Sequence, residues 1–89
     1  MESKFKLGQT VITRNAASTL ESTEVLAALR RHSIGDWGDC CPEDRAENEY
    51  SLDKYLRLFS VYHDSKGTKF WVITEADRAS TTVLLPEDY

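Results

Sequence analysis

Long apolar runs are missing from this 89-residue chain; the longest, Val25-Leu26-Ala27-Ala28-Leu29, has five residues, against the roughly 20 that a membrane-spanning helix needs. No such span is present. The opening residues Met1 to Gly8 also lack the apolar stretch of about 7–15 residues that marks a secretory signal, so a cytoplasmic protein is expected. Cysteine is confined to the neighbours Cys40 and Cys41. A bond between adjacent cysteines closes a small strained ring and cannot staple a fold, so both are expected as free thiols in a reducing compartment. Zinc would require His32 and His63 to join them across gaps of seven and 21 residues, whereas zinc ligands pair at about two to four. The sequence also lacks a phosphate-cradling glycine loop, a dinucleotide fingerprint, a Ser-His-Asp order and a helix-turn-helix pattern. Asp36, Asp39 and Asp44 are a carboxylate trio that magnesium could use in principle, and no calcium loop closes on a bidentate Glu. No cofactor or metal is expected.

What is present is a charge asymmetry. The chain carries −4 overall, which repels nucleic-acid phosphates unless its cations gather on one face. Asp36 to Asp53 holds seven acids (Asp36, Asp39, Glu43, Asp44, Glu47, Glu49 and Asp53) and one base, Arg45, a local −6, which leaves the remainder at +2. An acidic segment on a slightly basic body is either a solvated helix or a surface that meets a basic partner.

The spacing of residues predicts a single α+β domain over 1–89. Gln9 to Arg14, rich in β-branched residues after Gly8, reads as a first strand. Val25, Leu26 and Leu29 repeat at helical spacing, which places a helix from about Thr23 to Ser33, behind a capping-box pattern at Ser18–Glu21. Its last turn offers Arg30, Arg31 and His32 to the helix dipole, and Gly35 can end it in the left-handed conformation. Pro42 suits the first position of another helix, with Glu43 and Asp44 at its positive end. In that helix Arg45 is expected to pair with Glu49, while Ala46 and Tyr50 face the core.

From Leu56 the period becomes two, and Asp64-Ser65-Lys66-Gly67 is a hairpin turn into a return strand over residues 68–74. Trp71 and Tyr62, with Phe70 and Phe59, are expected as cross-strand neighbours in the core. Pro86 ends a last strand over residues 81–85, expected antiparallel to the return strand, with Arg78 held by Glu75 or Asp77. Its alternative is an edge strand offered to a second copy, giving a homodimer. The order is β-α-α-β-β-β: an N-terminal strand, two to three helices, and a three-stranded antiparallel meander covered on one face by helices.

Two chemistries are open to these residues. In the first, Asp36, Trp37, Asp39, Glu43, Asp44 and Glu47 form a contact surface for a basic protein, without direct nucleic-acid binding and without a membrane. Trp37, between Gly35 and Gly38, would be an anchor if exposed and a core residue if buried. In the second, His63 or Glu75 acts as the base and Arg57 or Arg78 as the phosphate clamp of a metal-independent ribonuclease. The helices-then-sheet order loosely resembles the barnase and RelE group of small nucleases.

Three segments carry a further resemblance. Lys6-Leu7-Gly8-Gln9-Thr10-Val11, Gly35-Asp36-Trp37-Gly38-Asp39, and the tail from Phe70 to Arg78 with Thr81 to Tyr89 are similar to a set of short bacterial proteins, usually labelled plasmid-related, of plasmids and integrated elements. The resemblance spans nearly the whole chain and transfers no catalytic residue. It implies an accessory protein of mobile DNA, a class rich in small acidic inhibitors of host defence such as anti-CRISPR and anti-restriction proteins.

Overall fold

Aromatic and β-branched residues dominate the three C-terminal segments, and each is a strand: β2 (Leu58–His63), β3 (Lys69–Thr74) and β4 (Ser80–Leu84). The computed structural model describes residues 2–89. Before these strands come β1 (Gln9–Ile12), α1 (Arg14–Thr19), α2 (Ser22–Ser33) and α3 (Pro42–Lys54), and a 3₁₀ turn (Pro86–Asp88) follows them. The α+β class and the antiparallel meander are as the sequence predicts. The sheet, however, has four strands in the order β1-β4-β3-β2, because β1 joins it parallel to β4, pairing Gln9 with Ser80 and Ile12 with Val83. β4 is therefore an inner strand. It pairs antiparallel with β3 from Trp71–Leu84 to Thr74–Thr81, and it has no free edge to offer a second copy.

One sheet face carries Leu58, Ser60, Tyr62, Phe70, Val72, Thr74, Thr81 and Val83, all buried. Ala16, Leu20, Val25, Ala28 and Leu29 of the helical layer pack on it. Trp71 does not neighbour Tyr62: it lies opposite Val61 on the other face, edge-on to Phe59 at 5.0 Å, while Tyr62 pairs with Phe70. The hairpin turn follows its chemistry, since Asp64 Oδ1 accepts from the backbone N–H of Lys66 and Thr68 and Gly67 adopts φ +85°.

Strand β1 stops earlier than expected because Thr13 caps a helix. Its Oγ1 accepts from the Ala16 N–H and donates to Asp88 in the C-terminal turn, tying both ends of the chain together. The Ser18–Glu21 capping box does not form; Glu21 precedes α2 with no side-chain cap. In α3 the expected core face is reversed. Ala46 and Tyr50 point to solvent, and Asn48 and Ser51 are the buried positions. A helix with so few apolar residues is held by polar pairing: Asn48 Nδ2 donates to the Phe59 carbonyl (2.6 Å) and the Phe59 N–H donates to Asn48 Oδ1 (2.9 Å). The amide thus stands in for a neighbouring strand along the outer edge of β2.

The same edge is continued by the loop, where the Asp39 N–H donates to the Val61 carbonyl and the Val61 N–H to the Trp37 carbonyl. This pairing requires Gly38. Its φ is +72°, and a Cβ there would lie 2.0 Å from the Val61 oxygen. Gly38→Ala is expected to lower stability by at least about 2–3 kcal/mol, combining left-handed strain with a backbone clash. A urea midpoint unchanged from wild type would contradict that.

At the centre lies His32, fully buried beneath Phe5 and Trp37, whose rings stand edge-on to it. Its Nδ1 is 2.5 Å from Ser60 Oγ and its Nε2 2.9 Å from Thr74 Oγ1; Thr74 meets Thr81 at 2.7 Å, and Thr81 Oγ1 donates to the Leu7 carbonyl at 2.6 Å. The carbonyl can only accept, so it fixes the protons as far as Nε2, and a neutral ring then accepts at Nδ1. Thr81 gives its proton to Leu7, Thr74 gives its own to Thr81, His32 donates from Nε2, and Nδ1 accepts from Ser60. The imidazole is neutral, with burial pulling its pKa down to about 3 and the Arg78 charge adding to the shift. It therefore does not serve the α2 dipole as a cation.

Candidate functional site

The acidic segment divides in two. In the loop before α3 the carboxylates are engaged. Asp36 accepts from Arg31 Nε (2.8 Å) and Nη2 (3.2 Å) and from the Gly38 N–H, and the Arg31 hydrogen bond holds its pKa below the usual carboxylate value. Asp39 is 2.7 Å from His63 Nδ1. Trp37 is buried, so it is not an exposed anchor; its Nε1 donates to Glu49 at 2.8 Å. The indole closes a second apolar cluster with Cys40, Leu58 and Val61, on which Phe5 and Leu52 rest.

On α3 itself Glu43, Asp44 and Glu47 are left open. Arg45, expected to pair with Glu49, instead donates to the carbonyls of Cys40 (2.9 Å) and Gly38 (2.8 Å), which fastens the loop to the helix. It forms no ion pair with an acid of the segment among the described residues. Glu43, Asp44 and Glu47 are exposed and have no ion-pair partner among the described residues. Glu43 and Asp44 in the first turn favour the helix dipole by about 0.3–1 kcal/mol each. Glu47 gains little from the dipole, and lying four residues after Glu43 it costs a few tenths of a kcal/mol, roughly, in like-charge repulsion. Tyr50 sits one turn further along the same stripe and is 55% exposed. The pattern is an aromatic ring bordered by carboxylates whose charge the fold does not neutralise.

The residues proposed for phosphoryl chemistry do not meet. His63 lies opposite Lys69 at one end of the β2–β3 ladder, whereas Glu75 follows Thr74, opposite Leu58 at the other end. Five residues of strand, roughly 16–17 Å, separate the two ends. Glu75 is bound to Arg57 at 3.2 Å. Arg78 is held by neither Glu75 nor Asp77 through a carboxylate: Nη1 donates to the carbonyls of Leu56, Glu75 and Ala76, and Nη2 to that of Ser51. It is a clamp between α3 and the β3–β4 connection.

Both thiols are free, Cys40 buried and Cys41 exposed. Cys40 Sγ donates to the Phe59 carbonyl, and burial pushes its pKa up, which makes it inert. Cys41, Asp39, Asp44, His63, Lys69 and Trp71 border a shallow cavity of about 430 Å³, yet no hydrogen bond joins either sulfur to His63 among the described residues. Nor do three His, Cys, Asp or Glu side chains come together there as a metal site. The trio Asp36, Asp39 and Asp44 is split by the partners of the first two.

Comparison with protein-family models, with curated proteins and with solved structures gave no match. The geometry therefore stands alone. Sequence reasoning placed Glu43, Asp44 and Glu47 correctly at the surface and missed Tyr50. The available signal was its spacing, seven residues after Glu43 and three after Glu47, which puts it on the acidic stripe.

Proposed function

We propose that this protein is a non-enzymatic binding module whose α3 face docks on a basic protein surface. The carrying observation is the exposed stripe of Glu43, Asp44, Glu47 and Tyr50, from which the segment's only base is withdrawn to hold backbone carbonyls. Unneutralised charge steers a cationic partner, and an exposed tyrosine within it supplies contact area at little entropic cost. The partner class is a basic protein, of the kind that handles nucleic acid. As part of the same proposal, the segments that resemble short proteins of plasmids and integrated elements imply a bacterial, cytoplasmic accessory role, as an inhibitor of host defence of the anti-CRISPR or anti-restriction type. Among the described residues no helix is long and apolar enough to cross a membrane.

The test is a triple reversal of Glu43, Asp44 and Glu47 to Lys. All three side chains are solvated, so the variant is expected to fold, while binding to its partner in a pull-down from a bacterial host falls by at least about a hundredfold through charge repulsion. Wild-type binding should also weaken between low and physiological salt. Recovery of the same partners by both proteins would refute the reading.

A further inference from the structure

At the opposite end of α3 a cleft of about 360 Å³ is bordered by Lys4, Phe5, Lys6, Tyr55, Asp77 and Arg78. We infer that it binds a nucleoside monophosphate, the phosphate drawn by Lys6, Lys4 and Arg78 and the base stacked on Tyr55.

The first support is charge. Three cations against the single acid Asp77 give the cleft +2 on a protein of −4. A phosphate monoester carries about −1.5 to −2 at neutral pH, which matches that excess where a lone carboxylate would not. Lys4 and Lys6 have no carboxylate partner among the described residues. Arg78, only 9% exposed, has four carbonyl acceptors and no counter-anion. Its Nε–H has no acceptor among the described residues. Carbonyl dipoles hold the guanidinium in place without cancelling its charge, so the field at the cleft stays positive.

The second support is backbone conformation. Among the described residues Tyr55 and Arg78 are the two non-glycine residues with positive φ, +54° and +61°, and both border this cleft. Tyr55 ends α3 in the left-handed conformation, where glycine is the usual residue and a tyrosine is strained. The residue is nevertheless 68% exposed. The Arg78 guanidinium lies 5.2 Å from the Tyr55 ring centroid and 5.8 Å from that of Phe5. One side of the phenol ring is thus supported by a cation, and the exposed remainder is a platform on which a flat base can stack. The cleft volume falls within the range of about 300–1,000 Å³ typical of small-molecule sites.

Titration calorimetry at low salt with AMP, inorganic phosphate and adenosine tests this on the full chain. AMP is expected to bind at least about fivefold tighter than either fragment, the factor that stacking on one aromatic ring supplies. Tyr55→Gly removes the platform and relieves the left-handed strain. It should melt no lower than wild type and bind AMP only as well as phosphate. Lys4→Ala with Lys6→Ala, both at the surface, should bind AMP no better than adenosine. AMP binding that is absent, matched by phosphate alone, or unaltered in Tyr55→Gly would overturn the assignment. None of these outcomes touches the acidic stripe, whose partner binding is measured separately.

Discussion

Deleting residues 81–89 is expected to unfold the protein. β4 is the inner strand that joins β1 to β3, so its loss removes two ladders at once and leaves β1 with no partner. The deletion also takes away Val83, Leu84 and Leu85, all buried, each worth about 1.5–3 kcal/mol of burial. Their sum equals most of the roughly 5–10 kcal/mol by which a domain of this size is stable. Asp88 goes as well, and with it the bonds to Thr13 and Asn15 that hold the start of α1. Circular dichroism should show no cooperative melt, and amide resonances should collapse to narrow dispersion. A milder variant locates the cause. Deleting residues 86–89 alone keeps the strand and loses the Asp88 bonds and the Tyr89–Trp71 contact, so it should fold with a lowered melting temperature. A folded, monomeric protein after removal of 81–89 would show that β4 is dispensable and refute the account of the core.

The elements whose burial follows a period were legible in the sequence. Val25 and Leu29 of α2 and the alternation of β2 and β3 face the core as expected, because apolar burial alone orients them. α3 was legible as a helix from Pro42 and its acids, but its inward face was not, since Asn48 and Ser51 turn inward through hydrogen bonds that carry no hydrophobic period. The parallel partner of β1 was also hidden. Thr10 and Val11 signal a strand, yet register with Thr81 and Thr82 depends on a crossover through the whole helical layer. Arg78 shows the same limit at the level of a site. A basic residue beside Asp77 and three residues after Glu75 suggests an ion pair, whereas four carbonyls made available by the end of α3 and the turn compete more effectively. The acidic stripe was legible because exposure of charge is the default, and Tyr50 was misplaced because an aromatic residue is by default buried.

His32 gives the largest expected pH effect. The unfolded chain takes up a proton on this imidazole near its ordinary pKa of 6.5, whereas the folded protein resists protonation until about pH 3. Below pH 6.5 the unfolded state therefore binds one proton more than the folded state, and folding stability falls as pH falls. The slope is about 1.4 kcal/mol per pH unit, amounting to about 4 kcal/mol by about pH 3.5. The physical reason is burial: a cation would sit in an apolar box of Phe5 and Trp37, with the Arg78 charge adding to the penalty. Asp36 and Asp88, whose hydrogen bonds hold their pKa values below 3.8, stabilise the fold above that value and lose their contribution only as pH drops further. The interval from pH 6.5 to 4 thus reports on His32. Urea midpoints measured across it should decline steadily in the wild type. In His32→Gln, which can still accept from Ser60 and donate to Thr74 without titrating, the one-proton slope should vanish even if absolute stability is lower. Equal slopes in the two proteins would mean that the imidazole is not held neutral in the fold.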